Sequence, residues 1–142
     1  MNKISGFKLI GGIESMDIKL LPKEMIVGEI IGKHKIIALS ADTNVGKSIW
    51  AHQLGLAVSV GMPEIFGYPI SGAKRVLFLN FEMDEYELLE RQQLLISRIP
   101  QSYHKYLDNF QINTFDGKRT LFQDNWDRIE QTICDNDAFD LI

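Results

Sequence analysis

Short apolar runs rich in β-branched residues alternate along this chain with longer stretches whose apolar residues recur at helical spacing. Residues 25–31, 35–40, 75–81, 110–114 and 138–142 read as strands or extended segments. Between them, a helix is predicted from near Lys47, with Trp50, Leu54, Ala57 and Val58 on one face and His52, Gln53 and Ser59 on the others. Gly61 and Pro63 should end it, each for its own backbone reason, and residues 61–74 read as a loop holding a small extended piece. A second helix opens at an acidic patch, where Asp84 and Glu87 have the spacing of a capping box. Leu88, Leu89, Leu95, Ile96 and Ile99 give it an apolar face, Glu87 and Arg91 form an i,i+4 pair, and Pro100 lies just past its end. Asp124 is placed to cap a last helix that buries Trp126, Ile129 and Ile133. Residues 1–24, with Gly11-Gly12 and Pro22, form a weakly structured leading segment, and residues 25–142 form the domain. Strands alternating with helices imply an α/β fold, a mostly parallel sheet flanked by helices that binds ligands at the carboxyl ends of its strands.

Composition narrows the class. With 142 residues the chain is one domain or part of a larger one, and 45% hydrophobic with 24% charged residues is ordinary for a soluble protein. A net charge of −4 argues against this segment serving by itself as a nucleic-acid-binding face. The single cysteine, Cys134, cannot form an internal disulfide, which suits a reducing cytoplasm, and reads as a small buried apolar group. The first residues lack the apolar stretch of a secretory signal, and no run approaches the roughly 20 apolar residues that cross a bilayer. A soluble, cytoplasmic protein with no membrane partner is expected.

The candidate chemistry is concentrated in Ala41-Asp42-Thr43-Asn44-Val45-Gly46-Lys47-Ser48, a phosphate-binding loop followed by Ile49 and standing between a predicted strand and a predicted helix. Successive backbone N–H groups of such a loop converge on an anion, assisted by the positive end of the following helix. Lys47 reaches the β and γ phosphates, and the Ser48 hydroxyl can ligate Mg²⁺. At Gly46 the backbone must approach the phosphate closely; Asn44 is a residue type that tolerates left-handed angles, and Asp42 should face solvent. Ala41 stands where the first glycine of the motif is usual. The competing reading is a chance match in an ordinary strand-to-helix turn.

Glu82 follows the strand that ends at Phe81, so a parallel sheet would put its carboxylate at the same edge as the loop. A carboxylate there can hold the attacking water and accept its proton, unless Glu82 is only another acid at a helix start, like Asp84 and Glu85. Residues 75–84, Arg-Val-Leu-Phe-Leu-Asn-Phe-Glu-Met-Asp, resemble the second core strand of RecA-like hexameric helicases of the RepA and DnaB types, ATPases of the AAA family. Ala41 matches the alanine that often begins the loop in DnaB-type helicases, and the roughly 34 residues separating Lys47 from Glu82 also resemble RepA-like ATPases. The likeness covers about residues 23–142 and is strongest over 36–60 and 75–96. It implies a RecA-like P-loop NTPase core that uses ATP and Mg²⁺, with Glu82 as catalytic base beside Lys47. It also implies a homo-oligomeric, hexameric motor acting on single-stranded DNA through regions beyond residue 142. The family's Mg²⁺-linked aspartate would lie just past residue 142, Asp140 being at the wrong end of its strand, so the chain is expected to be the incomplete N-terminal part of such a core.

Other classes stay open at this level. A P-loop GTPase would share Asn44 to Ser48 but needs an Asn-Lys-x-Asp segment that is absent after the loop. A small-molecule kinase usually carries an Arg-rich lid, and a non-catalytic nucleotide-gated module would leave Glu82 idle. His34, His52 and His104 lack metal-ligand spacing and read as surface or capping residues, while Arg91 and Arg98 should pair with glutamates of their own helix. Residues 116–119, Asp-Gly-Lys-Arg, read as a solvated turn.

Overall fold

The computed structural model describes residues 10–113, 122–135 and 139–142. The turn expected at residues 116–119 lies outside them. The leading segment contains one exposed turn of helix, α1 (Gly12–Met16). The apolar run from Met25 then splits into an antiparallel hairpin, β1 (Met25–Val27) and β2 (Ile31–Gly32), because the chain turns at Gly28. Next comes α2 (Lys47–Val60), then a second hairpin, β3 (Glu64–Ile65) and β4 (Tyr68–Pro69), which supplies the extended piece expected there. The two hairpins are joined by Gly28 N–H donating to the Pro69 carbonyl at 2.7 Å and Ser71 N–H to the Ile26 carbonyl at 3.0 Å.

The centre of the fold is a parallel pair, β5 (Val76–Leu79) beside β6 (Phe110–Asn113), running in register from Val76 opposite Phe110 to Leu79 opposite Asn113. The crossover between them consists of α3 (Glu85–Ile96) and a 3-10 helix (Gln101–Asn109). The periodicity of the sequence does not distinguish that 3-10 helix. After α4 (Phe122–Asp135), Leu141 bridges to Val76 in parallel on the other side of β5. The Asp140 carboxylate accepts from Arg75 N–H at 3.0 Å, a local role that leaves it at the start of its strand.

One expected strand is absent. Residues 36–40 belong to none of the three described sheets, and Ile36, Ile37 and Leu39 are exposed. A strand exists only as a ladder with a neighbour, and residues 35–40 pair with none of the described strands. The mostly parallel sheet is therefore represented by one parallel pair and one parallel bridge.

Helix α2 packs on β5, β6 and the 3-10 helix, and it is buried on more than one face: Leu54, Leu56, Val58 and Val60, but also His52 and Ser59, are inaccessible. The single apolar stripe expected for it is corrected accordingly. Ser59 is satisfied by its own helix, its hydroxyl donating to the Leu56 carbonyl at 2.8 Å. The core joins Ile26, Val27 and Ile31 to Leu54, Leu56, Val58, Val76, Leu95 and Phe110. Trp50 packs against it and stacks on Phe66, with ring centroids 5.3 Å apart.

The N-cap half of the expected capping box forms at α3: Asp84 accepts from Glu87 N–H at 2.9 Å. Of the apolar face, Leu88 and Leu95 are buried while Leu89 stays exposed. The ion pairs expected for Arg91 and Arg98 do not form among the described residues; the pairs present join Glu24 to Lys33 and Lys74. Helix α4 starts at Phe122, so Asp124 lies inside it rather than ahead of it. It buries Ile129 but leaves Trp126 half exposed, and Cys134 is exposed rather than buried.

Candidate phosphate-binding site

The loop from Ala41 to Gly46 is open to solvent and turns through two left-handed residues, Asn44 at φ 62° and Gly46 at φ 88°. Asparagine tolerates that region and glycine enters it without strain. Gly46 is also the N-cap of α2, and having no side chain it leaves the first N–H groups of the helix uncapped. The first turn of α2 carries no acid either. Helix α3 is the opposite case, with its N-terminus filled by Asp84, Glu85 and Glu87. An uncapped, acid-free helix start preceded by a left-handed turn is an anion receptor in physical terms.

Lys47 lies over this turn. Its ammonium donates to the Ala41 carbonyl at 2.8 Å and the Asp42 carbonyl at 2.6 Å, so the side chain folds back across the loop. These are neutral acceptors that a phosphate oxygen can replace with a stronger, charge-assisted partner. Asp42 and Thr43 are exposed, as are Val45 and Ile49 on the rim. Asp42 is exposed and makes no ion pair among the described residues.

The second half of the site comes from the end of β5. Ser48, in the first turn of α2, donates its hydroxyl to Glu82 Oε2 at 3.3 Å, across 34 positions of sequence. Ser48, the residue after Lys47, is thus brought to the carboxylate that follows the end of β5. The donor set also suits magnesium. Mg²⁺ takes six oxygen ligands and keeps several waters, asking the protein for one or two oxygens beside the phosphates. The Ser48 hydroxyl can supply one such oxygen.

Two residues here escape a reading of motifs. Asn80, which is buried, folds its amide over the Glu82–Met83 turn. His52, one helical turn beyond Ser48, is fully buried rather than on the surface. It stacks on Phe78 and Phe110 with centroids 4.7 and 5.5 Å away, and its Nε2 bonds Gln92 Oε1 of α3. Nδ1 is buried without a partner. Burial pushes the imidazole pKa below its usual value, the Gln92 bond opposes that shift, and the Arg91 charge adds to it. A helical-spacing argument placed His52 off the apolar face; a helix buried on several sides has no polar face at that point. His104 is exposed, and its Nε2 donates to the Ile99 carbonyl at 3.0 Å, between α3 and the 3-10 helix.

No helix of the described residues is long and apolar enough to cross a membrane. A family model described as "AAA domain" matches residues 14–142. No curated protein and no solved structure shows significant similarity to the chain.

Proposed function

The chain belongs to the AAA domain family of nucleotide-binding ATPases, and from that premise we propose that residues 41–49 hold the phosphates of ATP and that Glu82 activates the water attacking the γ-phosphate. The contact between Ser48 and Glu82 is the observation that carries this reading. It brings a hydroxyl of the helix-start type that ligates magnesium next to a carboxylate of the strand-end type that removes a proton. In this assignment Lys47 leaves the Ala41 and Asp42 carbonyls for the β and γ phosphates, and the uncapped N–H groups of α2 complete the cradle. Ser48 would hold Mg²⁺, whose chemistry there would be to neutralise phosphate charge. Glu82 receives the proton of the attacking water as the bond to the γ-phosphorus forms and the bond to the bridging oxygen breaks, releasing ADP and phosphate.

At a finer level we propose a RecA-like motor domain spanning residues 25–142, of the RepA and DnaB helicase kind, serving DNA replication. Such a motor works as a homo-oligomer, a hexamer in that family, on single-stranded DNA. The support for this level is the sequence likeness over residues 75–84 and the loop, together with the parallel β5–β6 pair. Hydrolysis and nucleotide affinity measured separately test the assignment. Lys47→Ala should weaken ATP binding, whereas Glu82→Gln should spare binding and stop turnover. Turnover at the unmodified rate in Glu82→Gln would remove Glu82 from the mechanism.

A further inference from the structure

We infer that Asn80 is the positioning residue that aims Glu82 at Ser48, an inference that rests on the role proposed above for Glu82. Asn80 is the first residue beyond β5 and is only 6% exposed, in a stretch where Phe81 and Glu82 are exposed. A buried amide must find partners for both of its ends, and here it finds them in the turn that carries Glu82. Its Nδ2 donates to the Met83 carbonyl at 2.7 Å, while its Oδ1 accepts from Met83 N–H at 3.1 Å and lies 3.4 Å from Glu82 N–H. One side chain thereby engages both the N–H and the carbonyl of Met83, the residue directly after Glu82. The polarity of these partners also fixes which end of the amide is which, because a reversed amide would set donor against donor and acceptor against acceptor.

The consequence is directional. Leaving a strand, a chain can continue extended or turn, and the two courses send the residue after next to different places. The Asn80 amide substitutes for a backbone turn partner, as asparagine does in an Asx turn. It holds residues 80–83 bent, so that Glu82 meets Ser48 and α3 can start at the Asp84 cap. The side chain of Asn80 is bonded to backbone and is not aimed at the phosphate loop, so it acts through Glu82.

The test uses the whole protein and reads position separately from turnover. In the unmodified protein, Glu82→Gln should move the amide NMR resonance of Ser48, because the two side chains are bonded. Placed in an Asn80→Ala background, the same change should move it by less than about a third as much, the loss of coupling expected when contacting residues are separated. Asn80→Ser, whose shorter hydroxyl imitates the turn more weakly, should restore part of the response, and it stands in if Asn80→Ala does not fold. ATP turnover in Asn80→Ala should fall about 10- to 100-fold, the range for a misplaced reacting group, with KM for ATP within about twofold. An undiminished Ser48 response in the Asn80 variants overturns the inference, as does a Ser48 resonance indifferent to Glu82→Gln from the outset. Unchanged hydrolysis in Glu82→Gln would instead sink the proposed function, while the resonance comparison would still judge Asn80.

Discussion

The hydroxyl of Ser48 and the carboxylate of Glu82 share a hydrogen bond of 3.3 Å, joining the first turn of α2 to the residue three beyond the end of β5. The hydroxyl belongs to the candidate phosphate-binding loop, whereas the acid is recognised only by its place at a strand end. Their contact gives Glu82 a reason to be where it is other than the dipole of α3, which Asp84 and Glu85 already serve. Glutamine at position 82 keeps the shape and can still accept from Ser48, but it cannot take a proton. Glu82→Gln should therefore lower ATP hydrolysis by about 100-fold or more and change nucleotide affinity little. Titration with a fluorescent ATP analogue, beside a phosphate-release assay, separates the two effects.

Lys47 is held by two backbone carbonyls of its own loop, at 2.8 and 2.6 Å. Binding a triphosphate exchanges neutral acceptors for anionic ones, and hydrogen bonds to charged groups are worth about 1.5–3 kcal/mol. Lys47→Ala should weaken ATP binding roughly 10- to 100-fold, as that energy converts at room temperature. Calorimetric titration checks it, and affinity equal to that of the unmodified protein would exclude Lys47 as a phosphate ligand.

His52 makes stability depend on pH. Because burial lowers its pKa in the fold, the unfolded chain takes up a proton near pH 6.5 while the folded chain does not. The contribution of neutral His52 is complete above that value. It is lost progressively as pH falls from about 6.5 towards the lowered folded value, with a slope of at most about 1.4 kcal/mol per pH unit. His52→Phe keeps an aromatic ring between Phe78 and Phe110 and removes the proton site; the half-buried Gln92 can turn to water. Urea unfolding at pH 7.5 and pH 5.5 should show a smaller acid-induced loss in the variant. Equal losses would mean that His52 does not carry the dependence.

The loop, both ends of α2 and the start of α3 were legible because single residues dictate them: Gly46 and Asn44 by their left-handed backbone, Asp84 by its cap, Gly61 by helix termination. The strand at residues 110–113 was legible too, and its parallel direction beside β5 follows from the helical crossover. Residues 36–40 show the limit of such reading. Alternating and continuous apolar runs report a demand for burial, but a strand also needs a partner, and pattern does not name one. Asn80 and His52 were hidden for a related reason. A polar side chain is read as exposed unless its partners are known, and those of Asn80 are backbone groups while His52 finds Gln92 40 residues away.

Gly61 ends α2 with φ 70°, and the following Met62 N–H returns to the Ala57 carbonyl at 3.0 Å, the longer bond of a Schellman cap. An added Cβ at Gly61 would lie 2.6 Å from the Ala73 nitrogen and 3.0 Å from its Cα, backbone atoms that cannot rotate aside. Gly67, at the tip of the β3–β4 hairpin, has a similar φ of 81° but nothing within 4 Å of the same position. Alanine at either site bears the left-handed backbone cost of about 1–2 kcal/mol. Only at Gly61 is overpacking of about 1–3 kcal/mol added, so Gly61→Ala should lose roughly 2–5 kcal/mol and Gly67→Ala roughly 1–2 kcal/mol. Urea denaturation of the two variants compares them directly. Similar losses would show that the segment around Ala73 yields to the end of α2, and that the helix carrying Lys47 and Ser48 is not braced there.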